Sequence, residues 1–173
     1  MKIGIISDTH GNIEYLEETA KLMKDEYKID ALIFLGDECE DIENIKNMVK
    51  NIVSVPGVYC EHYKNKGISH RIIKEFSGFK VLITHTQTSH QNDFPDDIKP
   101  ENLSLKDVDM AFYGHTHIPK IEIKNGIIWL NPGHLKKEDK KGFPPSFGIV
   151  DFEKRNIEII NFLTLKKIIE TDF

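Results

Sequence analysis

The chain has 173 residues, of which 39% are hydrophobic and 29% are charged, and its formal net charge is -5. This composition is ordinary for a globular protein, and the length suits one domain, which we expect to span residues 1–173. The acidic balance disfavours nucleic acid as a partner, because such binding depends on clustered lysine and arginine. No apolar stretch approaches the length of a membrane span, so we expect no membrane association.

The two cysteines, Cys39 and Cys60, lie in predicted loops beside acidic residues. The N-terminal residues enter a predicted strand at once and do not form a signal peptide. We therefore expect a cytoplasmic protein in which both thiols are reduced and no disulfide forms. Oligomeric state is not encoded in any visible pattern, so a homo-oligomer stays open beside a monomer.

The first half of the chain alternates strands with helices. Short apolar, β-branched runs predict buried strands over residues 2–7, 31–35 and 52–55. Helical spacing of apolar residues predicts one helix capped by Asn12 and a second over residues 41–50. This βαβαβ order predicts a parallel sheet with right-handed crossovers.

The second half of the chain is richer in hairpins. Ser77-Gly78 separates predicted strands over 69–75 and 79–83, and Asn125-Gly126 is a strong turn signal. Residues 84–105 are polar and predict a long loop that is functional or mobile. The remaining predicted strands cover residues 110–113, 120–124, 127–130, 147–152 and 157–163. We therefore predict an α/β fold whose sheet becomes mixed towards the C-terminus.

Residues of metal-ligand type follow four of these strands directly. They are Asp8, His10, Asp37, His85, His115 and His117. Ligand sites in α/β sheets gather at the carboxyl ends of strands, and these side chains suit zinc, manganese, iron or nickel. Asp37 suits a bridging position, because Gly36 before it removes side-chain bulk. The pattern predicts a two-metal hydrolytic site.

The order and spacing of these residues resemble a known family. Asp8-x-His10, Gly36-Asp37, His85 and Gly114-His115-x-His117 are similar to the motifs of calcineurin-like metallophosphoesterases. The similarity is greatest to the small single-domain phosphodiesterase branch, which includes the retromer subunit of eukaryotes. Asn131-Pro132-Gly133 also matches the loop that follows a late strand in that branch.

The resemblance implies a fold and a division of the metal ligands. The fold would be a two-sheet β-sandwich flanked by helices, in four α/β/β/α layers. The ligands would divide into a first-ion set of Asp8, His10 and His117, a second-ion set of His85 and His115, and the bridging Asp37. We expect two divalent ions, with manganese preferred and zinc, nickel, iron and cobalt as alternatives.

The implied activity is that of a phosphoric ester hydrolase acting on a small phosphate ester, with diesters favoured over monoesters. Two metals would lower the pKa of a shared water from 15.7 towards about 7, giving a bridging hydroxide. His62 and His90 are both candidates for the general acid. The alternative is a catalytically weak or inactive module that uses the same fold for protein–protein interaction.

One motif departs from the family pattern. The family places Gly-Asn after the third strand, where the asparagine ligates the second metal, but this chain has Gly57-Val58. Valine cannot bind a metal. The second site is therefore weaker, or Cys60, Glu61 or His62 replaces the missing amide.

Several other polar residues have ordinary interpretations. We predict His70 to be a surface or satisfied core residue and residues 136–141 a charged solvated loop. Glu38, Glu40 and Asp41 are predicted to form a solvated helix N-terminus. His134 stays open between a contact with substrate phosphate and plain loop surface.

Overall fold

The computed structural model describes residues 1–173, and its strands form two sheets. The first sheet contains β1 (Lys2–Ile6), β2 (Ala31–Phe34), β3 (Ile52–Ser54), β9 (Ser146–Asp151), β10 (Asn156–Asn161) and β11 (Lys167–Asp172). The second contains β4 (Arg71–Phe76), β5 (Phe79–Thr84), β6 (Met110–Phe112), β7 (Lys120–Lys124) and β8 (Ile127–Asn131). Their spatial orders are β11-β10-β9-β1-β2-β3 and β4-β5-β6-β8-β7.

The strand pairing agrees with the predicted change of pattern along the chain. β1, β2 and β3 run parallel, whereas β9 pairs antiparallel with β1. Ser77-Gly78 and Asn125-Gly126 close the β4–β5 and β7–β8 hairpins. Both turns place two successive residues at positive φ, which the asparagine and glycines accommodate at low cost. The two-sheet α/β fold class implied by the family resemblance is confirmed, whereas the single mixed sheet expected from the strand pattern is wrong, because the strands from β4 to β8 form a sheet of their own.

The core lies between the two sheets because successive side chains on a strand face opposite sides. Ile3 and Ile5 of β1 pack in the cluster that also contains Val81 and Phe112 of the second sheet. Ile6, on the other face of β1, packs towards the helical layer. This alternation fixes the strand register and, with it, the edge at which the strands end.

A single α-helix covers the first sheet. α1 (Ile13–Leu22) continues into a π-helical segment (Met23–Tyr27), and Leu16 and Ala20 pack against the sheet. The outer face of the second sheet is covered mainly by the long loop after β5, whose Leu103 packs there beside a short 3₁₀ turn. None of the helices is long and apolar enough to cross a membrane.

The predicted helix over residues 41–50 is wrong. The structure has a 3₁₀ helix at Cys39–Asn44, followed by turns. Its Asp41 is buried, and the carboxylate accepts hydrogen bonds from Thr9 Oγ1 at 2.6 Å and from the Gly11 backbone N–H at 2.9 Å. The predicted solvated N-terminus is therefore also wrong at Asp41, since this side chain fastens the segment to the loop after β1.

One smaller prediction also fails, and one strand was missed. Asn12 makes no capping hydrogen bond, because its side-chain amide donates instead to the Leu135 carbonyl at 2.7 Å. The polar C-terminal strand β11 was not predicted, since only one of its faces packs on the protein and its apolar signal is weak.

Cys39 and Cys60 form a disulfide, contrary to the prediction of two reduced thiols. Their Cα atoms lie 6.3 Å apart. β2 and β3 are neighbouring parallel strands, so the loops that follow them leave the same edge of the sheet. The loop backbones touch there, since a Cβ on Gly36 would lie 2.5 Å from the Gly57 nitrogen. This close approach brings together two cysteines that are 21 residues apart.

Candidate metal centre

Four loops converge at the carboxyl ends of β1, β2, β5 and β6. The Asp8 backbone N–H donates to the Gly36 carbonyl at 3.0 Å, which joins the first two loops. The Gly114 N–H donates to the His85 carbonyl at 3.0 Å, which joins the other two. The His115 N–H then donates to Asp8 Oδ2 at 2.9 Å and links the pairs. All six predicted ligands therefore lie on one connected rim.

The backbone at this rim is held in a conformation that most residues avoid. Five of the six predicted ligands have φ between 49° and 99°, namely Asp8, His10, Asp37, His115 and His117. A left-handed conformation at a residue other than glycine costs of order 1–3 kcal/mol and persists where surrounding contacts impose it. Such residues concentrate at ligand sites, which agrees with the predicted role of this rim.

Four of the ligands form a compact group. Asp8, His10, Asp37 and His117 each place one donor atom within 4.8 Å of all the others. His10 Nε2 lies 2.7 Å from Asp37 Oδ2 and 3.0 Å from His117 Nε2. His117 Nε2 in turn lies 3.3 Å from Asp8 Oδ1. This group consists of the predicted first-ion set together with the predicted bridging residue.

His85 and His115 form the second part of the centre, with ring centroids 5.1 Å apart. His85 is buried, and its Nδ1–H donates to the Leu35 carbonyl at 2.6 Å. Nε2 of the neutral ring therefore carries a lone pair, and it has no hydrogen-bond partner. Asp8 Oδ1 is also buried without a hydrogen-bond partner. Buried acceptor atoms without a hydrogen-bond partner are costly, and bound cations would satisfy both, so the residues present fit metal binding.

The charges of the centre favour a cation. Burial raises the pKa of Asp8, but the nearby His117 and His85 outweigh it, so the pKa lies below its usual value. Burial lowers the pKa of His117, but the carboxylates of Asp8 and Asp139 hold it above its usual value. Burial and His85 lower the pKa of His115, which keeps that ring neutral and able to ligate.

Asp139 contacts the candidate centre, which the sequence did not reveal. It lies in the segment 136–141, predicted as a solvated loop, yet its side chain is only 5% exposed. Its Oδ1 lies 2.6 Å from His117 Nδ1, so that N–H donates to the carboxylate and leaves Nε2 free for a metal. Burial raises the pKa of Asp139, but the hydrogen bond from His117 outweighs it and brings the pKa to about 2. The prediction for this segment is therefore wrong at Asp139.

The loop that carries His115 and His117 is supported from behind. The Asn131 side-chain N–H group donates to the Gly114 carbonyl at 2.7 Å and to Thr116 Oγ1 at 2.9 Å. A Cβ on Gly114 would lie 1.9 Å from Ser7 Oγ, so only glycine fits there. The Asn131-Pro132-Gly133 motif thus positions the histidine loop.

His134 is neither of the two alternatives predicted for it. The residue is fully buried, its Nε2–H donates to the Phe143 carbonyl at 3.1 Å, and its Nδ1 accepts from the Lys136 N–H at 3.1 Å. Both ring nitrogens are therefore used within the protein. His134 organises the loop beside the centre.

None of the three residues predicted to replace the missing amide lies in the centre. Val58 is buried, Cys60 is bonded to Cys39, and the exposed Glu61 pairs with Lys64 at 2.8 Å. His62 is exposed and lies beside the disulfide. The long loop covers this position instead, because the side-chain amide of Asn92 donates to the Val58 carbonyl at 3.0 Å.

The same loop brings His90 to the centre. Its half-buried ring lies with its centroid 6.2 Å from that of His115 and 5.9 Å from that of Tyr59. His90 Nδ1 accepts a hydrogen bond from the Asn92 backbone N–H at 3.2 Å. The neutral ring therefore carries its proton on Nε2, which is the opposite tautomer to that of His85.

A buried ion pair fixes this loop to the second sheet. Arg71 Nη2 lies 2.7 Å from Asp93 Oδ2, and that oxygen also accepts from the His90 N–H at 2.9 Å. His70 is buried, with one ring nitrogen 2.7 Å from Asp97 and the other 2.7 Å from the Tyr63 carbonyl. His70 is therefore a satisfied core residue, one of its two predicted roles, and the loop is held at both Asp93 and Asp97.

A β-sandwich that gathers carboxylate and imidazole donors at its strand ends has the architecture of a metallophosphoesterase. The model of the calcineurin-like phosphoesterase superfamily domain matches residues 1–155. The chain belongs to this superfamily, and the predicted family resemblance is confirmed.

Individual relatives agree with this assignment. Phosphodiesterase MJ0936 of Methanocaldococcus jannaschii is 29% identical over 90% of this chain and 95% of its own length. The structure of the phosphoesterase YfcE of Escherichia coli superposes with a TM-score of 0.76 at 21% identity, covering 99% of both chains. Zinc-complexed Vps29 of Entamoeba histolytica superposes with a TM-score of 0.69 at 20% identity, again over 99% of both chains. At these sequence identities, the similarity to the two solved structures supports the fold alone.

We expect Asp139→Asn to weaken metal binding by about 10–100-fold, the usual effect of losing the carboxylate that orients a ligating histidine. The asparagine can still accept from His117 Nδ1 but supplies no charge. Calorimetric titration of the metal-free protein with Mn²⁺ would measure the affinity. Glu138→Gln, at the exposed neighbouring position, is the matched control. Equal affinities in the two variants would contradict the role of Asp139.

Proposed function

We propose that this protein is a metal-dependent phosphodiesterase that hydrolyses small phosphate esters at a dinuclear centre. The observation that carries the proposal is the convergence of four donor atoms, from Asp8, His10, Asp37 and His117, within 4.8 Å. Superfamily membership and the archaeal relative named as a phosphodiesterase support it.

We divide the ligands as the family resemblance implies, and the two groups of side chains support this division. Asp8, His10 and His117 would hold the first ion, His85 and His115 the second, with the carboxylate of Asp37 between them. Bound ions of this kind lower the pKa of a shared water and offset negative charge on the phosphate. The protein's own contribution is to present the imidazole lone pairs, through the hydrogen bonds that His117 gives Asp139 and His85 gives the Leu35 carbonyl.

The second ion would be bound more weakly than the first. Val58 supplies no ligand, and neither Cys60 nor Glu61 from the following turn replaces it. Manganese is the expected ion, although mixed imidazole and carboxylate ligands also accept zinc, nickel, iron and cobalt. If a preparation holds a single ion, we expect it in the group that contains His117.

His90 is the better of the two general-acid candidates. A general acid must lie near the leaving oxygen and carry a proton there. His90 lies beside His115, and the hydrogen bond from the Asn92 N–H occupies its Nδ1, so Nε2 is the ring nitrogen available to give a proton to the leaving oxygen once the ring is protonated. His62 instead lies beside the Cys39–Cys60 disulfide. Tyr59, 70% exposed and close to both His90 and His115, would form a wall for the leaving group.

The protein, stripped of metal and reloaded with Mn²⁺, is expected to hydrolyse bis-p-nitrophenyl phosphate. p-Nitrophenolate release measures the rate, and the metal-free protein is the control. Absence of turnover with manganese, nickel, cobalt and zinc would contradict the proposal. A single weakly bound ion and a stable protein partner, without turnover, would indicate the alternative of a non-catalytic interaction module.

A further inference from the structure

A second group of metal-ligand atoms lies outside the proposed catalytic centre. Cys39, Cys60 and His62 each place one ligand atom within 4.8 Å of the other two. They line or adjoin a cavity of about 370 Å³, and none of the six ligands of the catalytic centre lines it. Glu40 and Glu43 line the same cavity, so carboxylate oxygens are also available as metal ligands.

The group contains two sulfur atoms, which the catalytic centre lacks. Soft thiolate ligands select zinc and similar ions over manganese or magnesium. Zn–S distances of about 2.3 Å and tetrahedral angles place two thiolates about 3.8 Å apart, farther than in a disulfide. A Cα separation of 6.3 Å between Cys39 and Cys60 accommodates either arrangement through side-chain rotation alone.

The backbone around the group is already fixed without the sulfur–sulfur bond. The two loops touch at Gly36 and Gly57, where a Cβ on Gly57 would lie 2.4 Å from the Asp37 Cα. The 3₁₀ helix Cys39–Asn44 is fastened independently through Asp41 and Thr9. His62 lies in a separate 3₁₀ helix, Glu61–Lys64, that starts directly after Cys60. Reduction of the disulfide therefore leaves the three ligand residues close together.

We propose that Cys39, Cys60 and His62 form a zinc-type site whenever the disulfide is reduced. A dithiol reductant transfers two electrons and two protons to the sulfur–sulfur bond, giving two thiols and the oxidised, cyclic disulfide of the reductant. A thiophilic divalent ion then binds both sulfur atoms as thiolates, with release of their two protons to solvent, and binds one imidazole nitrogen of His62. Glu40, Glu43 or water completes four-coordination.

The disulfide and the metal are mutually exclusive at this site. A bound ion blocks reoxidation of the two thiols, and the disulfide removes both thiolate ligands. Because Cys39 follows Asp37 by two residues and Cys60 follows Val58 by two, either state ties together the same two loops. The site is therefore a second metal site that is controlled by the thiol redox state.

Cobalt is the probe, because thiolate ligands give Co²⁺ an intense near-ultraviolet charge-transfer absorption that nitrogen and oxygen ligands do not give. The reduced full-length protein loaded with Co²⁺ should show this absorption and hold about one more equivalent of cobalt than the oxidised protein. The oxidised protein is a matched control with the same sequence and the same catalytic centre. Its cobalt should give only the weak visible bands of nitrogen and oxygen ligation.

Two variants test the ligand assignment. Cys39→Ser should lose the charge-transfer absorption and the additional equivalent, and His62→Gln should retain a thiolate band but release cobalt to a lower chelator concentration. A reduced wild-type protein without the band, or a band unchanged in Cys39→Ser, would overturn the proposal. Failure of the catalytic centre would give a different result, namely an oxidised protein that binds no cobalt.

Discussion

Asp37→Asn is expected to lower kcat on bis-p-nitrophenyl phosphate by ~10³-fold, since a lost bridging carboxylate removes several kcal/mol of transition-state stabilisation. The carboxylate lies 2.7 Å from His10 Nε2 and is the proposed link between the two ions. Asparagine preserves the shape of the side chain but removes the charge that two cations share. The same variant should hold fewer than two equivalents of manganese by elemental analysis.

Glu38→Gln is the matched control for this substitution. It removes the same charge from the neighbouring residue, whose side chain is exposed, and should leave both rate and metal content close to those of the parent protein. If Asp37→Asn retained full activity with two bound ions, the bridging assignment would be wrong. If Asp37→Asn and Glu38→Gln lost activity equally, the loss would be caused by the change in the net charge of the loop.

His90→Gln is expected to slow hydrolysis of diphenyl phosphate by about 10²–10⁴-fold, the usual contribution of a general acid. The phenolate leaving group needs a proton, which His90 Nε2 would supply. p-Nitrophenolate leaves readily without one, so bis-p-nitrophenyl phosphate should be affected much less. The ratio of the two kcat values measures proton donation separately from any structural disturbance.

His62, the other candidate for the general acid, provides the control for this experiment. His62→Gln should leave the ratio of the two rates as it is in the parent protein, because His62 lies beside the disulfide. The reverse pattern, with the ratio changed only in His62→Gln, would assign the general acid to His62. A His90→Gln variant that lowered both rates equally would show that His90 positions the loop and does not donate the proton.

Much of the fold could be predicted because it depends on local patterns. The apolar runs of β1, β2 and β5 are largely buried on both faces. A strand buried on both faces needs consecutive apolar residues, and such a run is visible in the sequence. Asn125-Gly126 fixed a hairpin through its own backbone preferences. Strand β11 and the 3₁₀ segment after Asp37 were not predicted, because contacts with distant residues override weak local signals there.

The six ligands of the proposed centre could be recognised from the sequence for a related reason. Each follows a buried strand, and parallel strands bring their ends to one edge. Their positive φ angles and the tautomer of His85 depend on hydrogen bonds to Leu35 and other residues far away in sequence. The sequence therefore indicated which residues assemble, whereas the tertiary structure decided how each presents its donor atom.

The conformations of the loops around the centre depend on tertiary contacts alone. Asp139 orients His117 across 22 residues, and Arg71 holds the loop of His90 through Asp93, also across 22 residues. The Cys39–Cys60 disulfide likewise results from the contact between two loop backbones. No periodicity or turn signal encodes such pairings, because loop conformation is set by the specific partners that a folded neighbour offers. The sequence by itself determined most of the strands, the strand ends that carry the site and the ligand types. The division of the strands into two sheets and the packing of the loops depended on tertiary contacts.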